Sequence, residues 1–249
     1  MSNSIELRGV TLDYPMYSVR AKSLRNAMLN AAVGGRLYKN TNDLVFVRAL
    51  AGIEFKLQDG DRLGLVGHNG SGKTTLLRVV AGIYAPSSGF VDIRGRVTSM
   101  TSFGAGLDME ATGLENIRAM GLMRLIPDKV IKRHIDPIIE FSDLGDYIKL
   151  PVRTYSAGML ARLMFAVATE FDTDILVLDE WLGAGDASFV GKAAERMDRM
   201  VESAAIVVLA THSPHLVERV CNKVCALENG HMAFYGSTEE WIARQAAAA

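Results

Sequence analysis

Two short clusters in this chain have the residue types and the spacing for phosphate chemistry. The first is Gly67-His68-Asn69-Gly70-Ser71-Gly72-Lys73-Thr74-Thr75. Leu63-Gly64-Leu65-Val66 precedes it and reads as a short apolar strand. Leu76, Leu77, Val79 and Val80 follow it and read as the start of a buried helix. The spacing fits G-x-x-x-x-G-K-[ST], with Gly67 and Gly72 as the fixed glycines. A phosphate chain must come close to the backbone, so side chains must be missing there. The loop N–H groups then form an anion nest, and the helix that follows adds its positive end. Lys73 can reach the β- and γ-phosphates as a point charge. Thr74 places a hydroxyl where Mg²⁺ would sit. A glycine turn that only starts a helix has no use for Lys73-Thr74. The second cluster closes another apolar run, Asp174 to Asp179 (DILVLD), and continues into Glu180. Asp179 is placed to hold Mg²⁺, through water, and Glu180 to polarise an attacking water. His212 follows a third apolar run, Ala205 to Ala210, and is expected beside the same sheet edge. These residues predict binding of a nucleoside triphosphate.

Other elements must hold those clusters in place. Ile5 to Val10 and Val45 to Leu57 read as strands, and Tyr14 follows the first closely. Phe90 to Arg94 and Arg96 to Thr101 read as two more, split by Gly95. Leu114 to Phe141 is helical with a break at Pro127. Lys149 to Thr154 is a linker. Ser156 to Glu170 is a helix with Leu160, Leu163, Met164 and Val167 on one face, and Asp186 to Glu202 is another. Val224 to Leu227 and His231 to Tyr235 flank Asn229-Gly230, a strong hairpin signal. Ser237-x-x-Glu240 is a capping box for a last helix. Strands alternating with helices predict an α/β fold with a mainly parallel sheet and active groups at strand C-terminal ends. A helical insertion from about Leu114 to Thr154 interrupts the alternation. Pro15 to Leu44 lies outside a minimal nucleotide-binding domain. Within it Leu24, Ala27, Met28, Ala31 and Ala32 recur at helical spacing among Arg20, Lys22, Arg25, Arg36 and Lys39. That predicts a helix, packed on its own domain or touching a partner or a membrane surface.

The 249 residues allow one large α/β domain, here 1–245 with a tail at 246–249. A net charge of −1 gives no broad basic surface, so no nucleic-acid partner is expected. No apolar run approaches the roughly 18 residues of a membrane span, and Met1 to Arg8 is no signal peptide. The chain is expected to be cytosolic, or held at a membrane through a partner. Cys221 and Cys225 are the only cysteines. With His215 or His231 they could make part of a metal site, but a structural zinc needs four ligands. Two buried, inert thiols are the simpler reading.

The order of these motifs resembles the ATP-binding cassette (ABC) ATPases. Gly67–Thr75, Tyr155-Ser156-Ala157-Gly158-Met159, Ile175–Glu180, Gly185-Asp186 and His212 occur in the family's order and span nearly the whole chain. The run 155–159, YSAGM, is similar to the family signature LSGGQ and keeps its Ser and second Gly. The resemblance implies a P-loop core with a mainly parallel sheet, an antiparallel β subdomain and a helical subdomain at about 114–170. It implies ATP and Mg²⁺ as cofactors, held by Gly67, His68, Asn69, Gly70, Ser71, Gly72, Lys73, Thr74 and Thr75, with the metal at Thr74 and Asp179. It implies catalytic roles for Lys73, Glu180 and His212, and an adenine stack on Tyr14, with Tyr17 as the weaker candidate. It also implies a head-to-tail homodimer. Ser156, Ala157 and Gly158 of one subunit would meet the ATP of the other, with Asp186 at the interface.

A narrower resemblance is to the ATPase subunits of polysaccharide exporters of O-antigen, capsule and teichoic acid type. The place of the Pro15–Leu44 insertion carries it. So do the runs Gly104 to Ile117 (GAGLDMEATGLENI), Arg153 to Ala166 (RTYSAGMLARLMFA) and Leu178 to Phe189 (LDEWLGAGDASF). It implies integral permease subunits as partners, a lipid-linked glycan as cargo, and a peripheral place on the cytoplasmic face of the cytoplasmic membrane. Some such subunits carry a C-terminal carbohydrate-binding domain, for which no room is expected here. One departure stands out. The family's glutamine before Gly104 is absent, since Gln58 and Gln245 are the only glutamines and Ser102-Phe103 occupy the region. No residue is assigned to that role. The alternatives are another transporter's ATPase subunit, importer or lipid or drug exporter, and a soluble cassette ATPase acting on DNA or ribosomes. A small-molecule kinase shares the phosphate loop but not YSAGM and His212.

Overall fold

A computed structural model of the chain describes residues 2–16, 37–39, 45–101, 104, 106–180 and 187–248. The expected helix between Pro15 and Leu44, Tyr17, Ser102, Phe103 and Asp186 fall outside them. The elements run in order β1 (Ser4–Met16), β2 (Leu37–Lys39), β3 (Val45–Gln58), β4 (Arg62–Val66) and α1 (Lys73–Val80). Next come β5 (Ser88–Arg94), β6 (Val97–Ser99), α2 (Gly113–Met123), α3 (Asp128–Ser142) and α4 (Ala157–Thr169). Then follow β7 (Ile175–Asp179), α5 (Ala187–Ser203), β8 (Ile206–Ala210), α6 (Pro214–Val220), β9 (Lys223–Glu228), β10 (His231–Ser237) and α7 (Thr238–Ala248). The residues group into two compact units. One takes Met1–Val97, Val177–Glu180 and Ala205–Ala249, and the other Thr98–Leu176 and Trp181–Ala204.

Two sheets form the frame. The first is antiparallel, in the order β2-β3-β1-β5. Along β3, Ile53, Phe55 and Leu57 are buried while Glu54, Lys56 and Gln58 are exposed, the alternation of a sheet with one face on the core. The strand β1 runs six residues beyond the expected Val10, to Met16, and β2 lies within the Pro15–Leu44 stretch, after the residues Leu24 to Ala32 expected to be helical. The β1–β3 register slips between Leu7 and Val10 and twice more before Asp13, then settles with Tyr14 opposite Val47. Those irregularities, with Gly9 at φ 58°, hide the second half of β1 from a period-two reading. The second sheet runs β10-β9-β4-β8-β7-β6. There β4 pairs parallel with both β8 and β9, and β9 pairs antiparallel with β10. Every residue of β8 is buried, as parallel strands covered on both faces require.

The second unit is helical. Its core gathers Ile117 and Met120 of α2, Ile131 and Ile138 of α3, and Leu163, Ala166 and Val167 of α4. A capping box of Thr112 and Glu115 starts α2, and Pro127, in extended conformation, starts α3 where the helical pattern breaks. The Ser237–Glu240 box before α7 is formed too, with both hydrogen bonds at 3.1 Å.

Candidate active site

The phosphate loop is the step from β4 to α1. Gly67 lies at φ 146°, and a Cβ there would run into the Leu227 carbonyl and within 2.7 Å of Ser71 Oγ. Gly72 lies at φ 114°, and its Cβ would sit 3.0 Å from the Ala49 carbonyl. Backbone crowding therefore demands both fixed glycines. As the N-cap of α1, Gly72 supplies no side-chain acceptor, which leaves the first-turn N–H groups to an anion. The β9–β10 turn braces the loop from behind. Gly230 N–H donates to the Ser71 carbonyl at 2.8 Å, and the Gly230 carbonyl accepts from Ala51 N–H at 2.9 Å.

Lys73 folds along the loop. Its Nζ donates to the carbonyls of Gly67 (2.7 Å) and His68 (3.2 Å). Burial pulls its pKa below the ordinary lysine value, and the Asp179 and Glu180 carboxylates oppose that shift. Thr74 Oγ1 donates to Asp179 Oδ2 at 2.9 Å. The two residues expected at the metal thus meet, one from α1 and one from the end of β7. Hydroxyl and carboxylate are hard oxygen donors and suit Mg²⁺, which keeps several waters and leans on phosphate oxygens. No group of three or more His, Cys, Asp or Glu is gathered for a metal among the described residues. Cys221 and Cys225 are buried, and burial pushes each thiol up to about 12, so neither is a thiolate near neutral pH.

Glu180 departs from the strand before it. Its φ of 64° is in the left-handed region, uncommon for a residue with a side chain, and its N–H donates to the Ala210 carbonyl at 2.9 Å. The side chain is 66% exposed, with Oε1 3.9 Å from His212 Nε2. The carboxylate is therefore free to meet a reacting water, whereas Asp179 is engaged. Tyr14, on β1, packs edge-on against Tyr84, with ring centroids 5.7 Å apart at 80°. Burial raises its hydroxyl pKa, and a hydrogen bond with the Thr75 side chain works against that.

One cavity of about 530 Å³ joins these groups. Tyr14, Asn69, Gly70, the run Gly72 to Thr75, Asp179, Glu180 and His212 all line it. Val47 and Ala49 of β3 add a wall that the sequence did not reveal. The signal for Val47 is register: it is the residue opposite Tyr14. The size suits a small ligand. His68 and Ser71, two loop residues also expected at ATP, do not line this cavity. Ser71 is fully buried, and His68 turns its Nδ1 to the Asn69 carbonyl at 2.8 Å. Ser156, Ala157 and Gly158 belong to the second unit, where all three are exposed at the start of α4. Ser156 is the N-cap, and its Oγ accepts from Met159 N–H at 3.2 Å.

Comparison with known proteins gives the family. The family model described as ABC transporter matches residues 50–183, more than half of the chain. The chain belongs to this family and is an ATPase subunit of the cassette class. It is 45% identical over 227 residues to the O-antigen export system ATP-binding protein RfbE of Yersinia enterocolitica, covering 91% of this chain and 95% of that protein. It is 35% identical over 242 residues to RfbB of Klebsiella pneumoniae, another O-antigen export system ATP-binding protein, covering 97% of each. The teichoic acids export ATP-binding protein TagH of Bacillus cereus is 34% identical over 243 residues; the match covers 98% of this chain but 42% of that longer protein. Among solved structures, an ATP binding subunit of an ABC transporter superposes with a TM-score of 0.67 at 20% identity, covering 98% of this chain and 93% of that one. The cassette MJ0796, a dimer in a post-hydrolysis state with ADP and Pi, gives 0.65 at 18%, covering 94% and 98%. At such identities these two speak for the fold, the α/β cassette expected from the motifs.

Proposed function

We propose that this chain is the peripheral ATPase of an exporter that moves a lipid-linked polysaccharide of O-antigen type across the cytoplasmic membrane. The observation that carries the hydrolytic part is the convergence of Lys73, Thr74, Asp179, Glu180 and His212 on one cavity. The cargo class is supported by the 45% identity to an O-antigen export subunit. Among the described residues no helix is long and apolar enough to cross a membrane. Integral permease subunits are the proposed partners, and the cytoplasmic face of the membrane the proposed place.

In this reading Tyr14 takes the adenine, and the loop N–H groups with Lys73 hold the phosphates. Thr74 and Asp179 would hold Mg²⁺, which when bound draws charge from the phosphate oxygens. Glu180 accepts the proton of the attacking water, and His212 sits beside it on the γ-phosphate side. Two chains join head to tail, so that Ser156 and Gly158 of one reach the γ-phosphate held by the other, with Ala157 between them. Asp186 is the proposed interface aspartate.

The test is Glu180→Gln, which keeps the shape but accepts no proton. Turnover should fall about 10²–10⁴-fold, the usual worth of a general base, with ATP affinity kept. ATP should then drive this variant from monomer to dimer in sedimentation, and adding Ser156→Arg should abolish the shift. Parental turnover in Glu180→Gln would remove Glu180 from the mechanism. For the cargo, cells lacking the chain should accumulate lipid-linked glycan on the inner side of the membrane; normal surface glycan would refute that assignment.

A further inference from the structure

The helix α4 carries the signature residues at its N-terminus, and the other three helices of its unit converge on its opposite end. Its last carbonyls have no partner within the helix. Arg124, the residue that closes α2, fills that need: its Nη1 donates to the carbonyls of Val167 and Ala168, both at 3.1 Å. The cation also complements the negative end of the helix. Glu170 follows immediately as the C-cap, with its side chain only 7% exposed. One carboxylate oxygen meets His134 Nδ1 of α3 at 2.8 Å, and the other accepts from Arg196 Nη2 of α5, also at 2.8 Å. The Arg196 guanidinium lies 3.9 Å over the ring of Phe141 on α3. Phe141 in turn packs on Phe165 of α4 and Phe189 of α5, with centroids 6.0 and 5.5 Å away.

No part of the proposed reaction uses this cluster. A carboxylate this buried is costly unless it is paired and hydrogen-bonded, and here partners from two other helices engage both of its oxygens. At the N-terminal end of the same helix Tyr155, Met159 and Leu160 pack on the core of the unit, while Ser156, Ala157 and Gly158 stay exposed, and a Cβ on Gly158 would find only Ser156 Oγ, 3.9 Å away. The direction of the helix, and so the place of its exposed first turn, depends on how its buried far end is fixed. We propose that Glu170 and Arg124 are positioning residues, which anchor the far end of α4 and thereby set the pose of Ser156–Gly158 for the joining of two chains around ATP. This rests on the reading above, that Ser156 and Gly158 meet ATP held by a second copy.

The experiment uses the full chain carrying Glu180→Gln. Sedimentation with ATP gives the dimer dissociation constant. Binding of a fluorescent ATP analogue, at chain concentrations too low for dimers, gives the affinity of the single chain. Glu170→Ala should raise the dimer constant about tenfold or more, since small misplacements of a reacting group are expensive. It should leave single-chain ATP affinity within about twofold, as an independent site would. Glu170→Gln keeps the shape and an acceptor for Arg196, and should restore most of the dimer. Should Glu170→Ala lose its cooperative melt, Arg124→Met makes the same comparison, keeping the apolar stem but donating to neither the Val167 nor the Ala168 carbonyl. An unchanged dimer constant in a folded variant overturns the anchor. So does a parallel fall in single-chain ATP affinity, which would mark a general packing role. Ser156→Arg separates the two levels of the argument. If it leaves the dimer intact, the cross-subunit reading falls and takes the anchor with it. If it abolishes the dimer while the Glu170 and Arg124 variants do not weaken it, the anchor alone falls.

Discussion

Two helix N-termini are assigned to phosphate in this chain, and they are built in opposite ways. Before α1 stands Gly72, in the left-handed region, with no side chain to cap the helix and the backbone of Ala49 close behind. Before α4 stands Ser156, extended, with its hydroxyl already accepting Met159 N–H and open space around Gly158. The first keeps its donors free and its shape imposed by neighbours. It is a site prepared in advance, and preorganised donors need no rearrangement when the anion arrives. The second satisfies part of itself and presents an exposed surface. In the proposed dimer it is half of a site, to be completed by another molecule. The contrast says which motif a single chain can use alone.

That contrast can be broken at three points, taken from the largest expected effect to the smallest. Gly67→Ala strikes the imposed loop, where a Cβ meets backbone and the φ of 146° suits glycine alone. It should cost about 3 kcal/mol of stability, from strain together with overpacking, and remove ATP binding by the single chain. Thermal melting and ATP titration read both, and an unaltered melt would show the loop to be as yielding as the signature. Tyr14→Ala tests the other end of the same cavity. Loss of the base stack should weaken single-chain ATP affinity by roughly 1–3 kcal/mol, while Tyr14→Phe changes little. Equal affinity in the Ala variant would leave the cavity with no adenine end at Tyr14. The smallest effect on a single chain is expected from Gly158→Ala. Nothing crowds that position, so stability should hold or rise by at most about 1 kcal/mol, as alanine favours a helix. Single-chain ATP affinity should not move, yet ATP-driven dimerisation of the Glu180→Gln protein should weaken. A fall in single-chain affinity would erase the distinction between the two helix starts.

Much of the nucleotide end was legible because its chemistry is local in sequence. Glycines forced by crowding, the Lys73-Thr74 pair and an apolar strand ending in Asp179-Glu180 all lie within short runs. The caps were legible for the same reason, as at Ser237 and Glu240. What escaped depends on pairing between distant strands. Tyr14 was singled out beyond the end of its supposed strand, because the slips in the β1–β3 register break the alternation that would have extended it. Val47 and Ala49 became walls of the cavity only once that register placed β3 beside Tyr14. The left-handed turn at Glu180 has no signature in residue type, since glutamate is a poor choice for it; the neighbouring Ala210 carbonyl fixes it instead. Arg124 and Glu170 are unremarkable in a list of charges. They gain meaning from four helices meeting at one point, which periodicity along a single helix cannot show.

The turn behind the phosphate loop has a consequence for how the nucleotide cavity opens. Gly230 holds Ser71 through its N–H and Ala51 through its carbonyl. Ala51 belongs to β3, the strand that also carries Val47 and Ala49 beside Tyr14. Loosening the loop or peeling back that strand therefore breaks a bond of the same residue. Coupled opening of the two ends is the expected outcome, a single cooperative unit in the sense of native-state hydrogen exchange. A molecule that binds only beside Tyr14 should then slow amide exchange within the phosphate loop as well, without touching it.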